Sequence, residues 1–200
     1  MTNAAAILLS RATAVGLFGG LAIAIYVDIA GSAVEDPLRA TFSEYVHTDV
    51  GATLVGVAMV LVGFAALALV GTLLLGTLPA ARQAGRLVAV FGVGLVLLAV
   101  FPQEPADEAL TWHGAIHRYV ALTAFVALPL AALVLRDRVL RLLAAGSLAT
   151  LVVFVATFLP VTGMRDYSGL VERVLLAADL VIIAVMAHRA ATVRAVDATR

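Results

Sequence analysis

The chain has 200 residues, 63% of them hydrophobic and 13% charged, with a formal net charge of zero at neutral pH. Soluble domains run at roughly 45–50% apolar and 25% charged residues, so this composition belongs to a membrane protein, and the balanced charge gives no bulk field to attract nucleic acid. There is no cysteine, which excludes disulfides, thiolate nucleophiles and Cys-ligated metals.

A bilayer crossing takes about 20 mostly apolar residues. Six segments meet or approach that length, and together they predict an all-α membrane bundle forming a single domain over residues 1–200. The first span covers residues 12–34 and is interrupted only by Asp28. Its apolar stretch exceeds the roughly 7–15 residues of a signal-peptide core, and Asp36-Pro37 follows it in place of a small-residue cleavage site. It therefore reads as a retained helix. The second span, 50–81, lacks charge and is long enough to tilt. The third, 87–102, is short; the fourth covers 113–135 and the fifth 142–164; the sixth, 167–188, contains Asp179. Backbone groups in lipid must bond internally, which predicts helices. No short alternating strands suggest a barrel. Gly16, Gly19, Gly20, Gly63, Gly92 and Gly94 would allow close helix approach.

Arginine supplies all the positive charge, and such charge marks the cytoplasmic side. With six spans, nine arginines fall on the side of the termini and of loops two and four. Four (Arg39, Arg118, Arg165 and Arg173) fall on the other. Both termini of the expected plasma-membrane protein are thus placed in the cytoplasm. The acids lie mostly opposite: Glu35, Asp36, Glu44 and Asp49 in loop one, Glu104, Asp107 and Glu108 in loop three, and Asp166 and Glu172 in loop five.

The passage FPQEPADEALTWHGAIH, residues 101–117, concentrates polar groups between the third and fourth spans. His113 and His117 are spaced i, i+4, which puts them on one helix face about 6 Å apart along the axis. Trp112 sits beside them, where an interfacial aromatic is expected. Two carboxylates, Asp28 and Asp179, lie within spans, Asp179 about 9 Å deeper than Arg173 by helical rise. A carboxylate in lipid costs several kcal/mol unless paired, protonated or hydrated. Asp28, His113, His117 and Asp179 all fall in the outer half of the expected bundle and could share one polar cavity. Three readings stand open: His113 and His117 bind a divalent metal such as zinc that activates water; the His and Asp groups move protons or hold a polar ligand; or the cluster only caps helices and pairs with Arg118 or Arg173. An HxxxH pair lacks the Glu of HExxH, and two histidines on one face do not suit bis-His haem. Ser43, Glu44 and His47 lie close in sequence, but no GxSxG elbow surrounds the serine. No phosphate loop or dinucleotide fingerprint occurs, and the GVG of 92–94 lies inside a span.

Four ordered stretches resemble the domain-of-unknown-function 998 (DUF998) family of multi-pass bacterial and archaeal membrane proteins. They are DPLRATFSEY (36–45), FPQEP (101–105), HGAIH (113–117) and GLVERVLL (169–176). The resemblance reaches from the first span to about Arg189. Departures are Glu35, where the family often has Tyr, and Gln103-Glu104 in place of Thr-Asp. The family carries no established reaction. What it implies is a set of signature positions: Asp36, Ser43, Glu44, Glu104, His113, His117, Gly169 and Arg173.

Residues and resemblance together lead to the expectation of an outward-facing His/carboxylate pocket that binds a small ligand or cation. Its candidate ligand-binding residues are Asp28, Asp36, Ser43, Glu44, Glu104, Arg173 and Asp179; its candidate metal ligands are His113 and His117. The alternatives are a metal-dependent hydrolase of a lipid-like substrate and a structural subunit with a membrane-protein partner. The bilayer itself is an expected partner; nucleic acid is not.

Overall fold

The computed structural model describes residues 3–76, 78, 80–105 and 108–197. Asp107 and Arg200, counted in the charge pattern above, lie outside them. Six helices follow one another: α1 (Asn3–Gly31), α2 (Gly51–Leu74), α3 (Ala81–Val100), α4 (Trp112–Val134), α5 (Arg138–Thr157) and α6 (Ser168–Asp197). No strand occurs among the described residues. There, five helices, α1 to α5, are long and apolar enough to cross a membrane. Helices satisfy most of their backbone polar groups internally, as an apolar solvent requires, although Pro129 inside α4 offers no N–H.

Short connections make α2–α3 and α4–α5 antiparallel hairpins. In the second, Arg136 adopts a left-handed backbone, φ 57°, which ends α4 and reverses the chain within three residues. Asp137 then caps α5 by accepting from the N–H groups of Val139 (2.9 Å) and Leu140 (3.1 Å). These ends explain where helices and hydropathy part company. The apolar run 50–81 outlasts α2, which stops at Leu74, while α3 starts at Ala81 and carries Arg82 and Arg86 in its first turns. Likewise α5 begins at its Asp cap, and α6 continues to Asp197 beyond the apolar window. Hydropathy reports which side chains lipid tolerates; caps and left-handed residues decide where the hydrogen bonds stop.

The core is built from Leu69, Leu73, Phe91, Leu128, Ile182 and Met186, all buried, on α2, α3, α4 and α6. Phe18, Phe64 and Val152 point outward and are exposed, as helices facing hydrocarbon allow. Between such helices lipid leaves little hydrophobic driving force, so close packing must hold them together. The α2–α3 contact shows this at Gly63 and Gly92: a Cβ on either would sit 2.8 Å from the other's carbonyl oxygen. Gly92→Ala is therefore expected to force the two helices apart and to cost about 1–3 kcal/mol, the usual range for overpacking. Gly146 on α5 is exposed, with nothing within 4 Å of an added Cβ, so Gly146→Ala should be neutral or gain up to about 1 kcal/mol of helix propensity. Unfolding titrations in SDS that rank the two variants equally would contradict this packing.

Candidate functional site

Loops one (32–50), three (101–111) and five (158–167) meet at one end of the bundle, and side chains on α6 organise them. Arg173 makes an ion pair with Asp28 of α1, its Nε 2.9 Å from both carboxylate oxygens. Its Nη1 donates to the Ala40 carbonyl of loop one at 2.9 Å. One residue earlier, the buried Glu172 carboxylate accepts from the Phe42 N–H. The Leu170 N–H donates to Leu38 O at 3.0 Å, and the Ser168 hydroxyl donates to Arg39 O at 2.7 Å. Only glycine allows this approach at position 169, where a Cβ would overlap Ala40 O and lie 2.6 Å from Pro37 O. Within loop one, Asp36 accepts from the Leu38 N–H at 2.9 Å and shapes the turn. Glu44 reaches back to the Thr41 N–H at 2.6 Å, a capping box for the 3₁₀ turn Phe42–His47. Its other oxygen takes Arg165 of loop five at 2.7 Å.

Loop one in turn holds loop three. Ser43 donates to the Gln103 side-chain oxygen at 2.9 Å, and His47 Nε2 donates to the Gln103 carbonyl at 2.8 Å. The next residue, Glu104, caps α4. It accepts from the Thr111 hydroxyl, from the Thr111 N–H at 2.8 Å and from the Gly114 N–H at 3.3 Å. The Thr111 hydroxyl bond, first among these, holds its carboxyl below the usual carboxylate range. Gly114 makes room for that carboxylate, since a Cβ there would overlap it. One turn further on, His117 is buried and its Nδ1 lies 2.8 Å from the Phe101 carbonyl. A carbonyl only accepts, so Nδ1 carries the hydrogen, and in the neutral ring Nε2 keeps its lone pair.

Beneath these loops lies a cavity of about 340 Å³, with walls drawn from all six helices. Most of the lining is apolar, including Phe91, Leu95, Phe125, Leu151 and Phe154. The polar exceptions are Ser43, Gln103 and His117 under the roof, Glu172 and Asp179 along α6, and the exposed Arg118 and Tyr119 at the rim. Tyr119, Leu122, Val155 and Phe158 are exposed yet line it, so the cavity opens sideways between α4 and α5. Asp179 is buried, 1% exposed, and its Oδ1 accepts from the buried Ser147 hydroxyl of α5 at 2.7 Å. Its Oδ2 has no hydrogen-bond partner among the described residues.

A family of proteins of unknown function, DUF998, matches residues 12–189, nearly the whole helical bundle. The chain belongs to the DUF998 family. No curated protein and no solved structure matches it.

In this DUF998 member the candidate residues divide into three groups. Asp28, Asp36, Glu44, Glu104 and Arg173 do not line the cavity; each is engaged in the ion pairs, turn and caps described above. Ser43, His117 and Asp179 do line it. His113 does not; it is exposed, with its ring 3.6 Å from that of Trp112 and 5.8 Å from that of Phe101. No three His, Asp or Glu side chains among the described residues are placed to hold a metal ion. Sequence reasoning passed over Gln103, Ser147 and the cavity role of Glu172. The last two left a signal: Ser147 is a polar residue in an apolar span, and Glu172 is a carboxylate beside an arginine that pairs elsewhere.

Proposed function

We propose that this DUF998 protein crosses a bilayer six times with both termini in the cytoplasm, and that its central cavity binds one amphiphile taken up from the membrane. One observation carries the binding reading: a mainly apolar cavity inside a helical bundle, open on its flank, with its polar groups at the roof, along one strip of α6 and, as Arg118 and Tyr119, at the rim. Its volume of about 340 Å³ falls in the lower part of the roughly 300–1,000 Å³ range of small-molecule sites. Apolar walls recognise the body of such a ligand, and a few fixed polar groups orient it. His117, with Nδ1 tied to the backbone, presents Nε2 as a fixed acceptor; Gln103 is held by loop one in the same way. The sixth crossing is α6, which buries Leu175, Ile182, Ile183 and Met186 against the helices that are long and apolar enough to span. The arginine asymmetry between the two ends supports the orientation.

A neutral lipophilic dye such as Nile red should bind saturably to the protein in nanodiscs, above empty nanodiscs. Ala121→Trp, which fills the cavity, should abolish that binding, while Gly146→Trp on the outer face of α5 should not. Equal binding by both variants would remove the cavity from consideration. The absence of native cysteine makes the topology directly testable. Val161→Cys, in the 90% exposed tip of loop five, should react with an impermeant maleimide on intact cells, and Arg138→Cys only after permeabilisation. The reverse pattern would invert the orientation.

A further inference from the structure

Asp179 occupies an unusual position. It lies 11 residues into α6, about 16 Å from its start at the helical rise of 1.5 Å per residue. One carboxylate oxygen is satisfied by Ser147; the other is buried without a partner and belongs to a side chain lining the cavity. Glu172 stands about two turns nearer the loops, roughly 10 Å along the same face of α6, and it too lines the cavity. A carboxylate at such depth must be paired, protonated or hydrated.

The chain's own cations do not reach it. The four ion pairs among the described residues join Arg39 to Asp166, Arg165 to Glu44, Arg173 to Asp28 and Arg189 to Asp137. Arg118 lines the cavity only as an exposed residue of the rim, and His117 donates its one certain hydrogen to Phe101 O. The buried charged side chains facing the cavity are therefore both acidic. No three donors among the described residues form a metal cage, so a bare metal ion is a poor fit, whereas a lining that includes Phe91, Phe125 and Phe154 suits the apolar body of an organic cation.

We infer that the occupant of this cavity is a protonated amine carried on an apolar body, its ammonium donating to Asp179 Oδ2 and its body lying against the phenylalanine-rich walls. This rests on the amphiphile reading above and adds the charge of the ligand. The ammonium supplies the donor and the counter-charge that the bundle lacks, and Ser147 already holds the other carboxylate oxygen. Glu172, of the same sign, reinforces the preference for a cation over an anion. The rim opening between α4 and α5 admits the ligand from the hydrocarbon side without moving the roof.

The test is a matched ligand series on the wild-type protein in zwitterionic nanodiscs: a phenylalkyl amine, the alcohol of the same skeleton and the corresponding carboxylate, read as saturable binding above empty nanodiscs. The amine should bind at least tenfold more tightly than the alcohol, and the carboxylate should not compete. Asp179→Asn should lower amine affinity at least tenfold and leave the alcohol unchanged; Ser147→Ala, which keeps the charge, should retain the preference. If amine and alcohol bind equally and Ala121→Trp blocks both, the cation assignment falls and the amphiphile reading stands. If none of the three binds saturably, both fall. The ligand series needs no variant to fold, so even if Asp179→Asn fails to express, the wild-type protein alone can overturn the cation assignment.

Discussion

Arg173 has its guanidinium between the carboxylate of Asp28 on α1 and the carbonyl of Ala40 in loop one. Beside it Glu172 takes the Phe42 N–H, and Gly169 lets the loop backbone lie directly on α6. From this contact the remaining polar structure follows in sequence. Loop one, once seated, presents Ser43 and His47 to Gln103. Loop three, once held, places Glu104 over the first turn of α4 and the Phe101 carbonyl over His117. The roof of the cavity is thus a relay that begins at the first turns of α6. A partly buried charge pair deprived of one member leaves an uncompensated charge, which is the costly case, so the arrangement is most vulnerable at its origin.

The sequence made the helical membrane character legible, because long apolar runs are accommodated in lipid as helices. It made the family legible as well, because four short motifs keep their order and spacing across the chain. Helix ends were less legible: a cap such as Asp137 and a left-handed residue such as Arg136 are single-residue decisions that a hydropathy window averages away. Pairing was least legible. His113 and His117 share a spacing but not an environment, since one lies against Trp112 in the open and the other turns into the bundle. Asp28 and Asp179 are both acids within apolar runs, yet one finds Arg173, 145 positions away, and the other only a serine. Such partners are set by how helices rotate against one another, which no single-residue pattern encodes.

Most of the positions that carry the family resemblance have structural work that accounts for their chemistry: Glu104 caps, Gly169 admits a loop, Arg173 pairs. One oxygen of Asp179 is left without a partner among the described residues and belongs to a side chain that lines the cavity, as does His117, whose Nδ1 alone is bonded. The buried Tyr45 hydroxyl is also left without a partner among them, but away from the cavity. Polar groups buried without partners are costly, and the placement of Asp179 on the cavity surface is the feature that a ligand would answer.

The dependence of the roof on α6 is tested most directly by amide hydrogen exchange, comparing the wild type with Arg173→Gln in the same nanodiscs. The account predicts faster exchange in loop one, at Thr41 and Phe42, that spreads to loop three and to the Glu104-bound amides of Thr111 and Gly114. Exchange that quickens only around loop one, with Thr111 and Gly114 as protected as in the wild type, would contradict it.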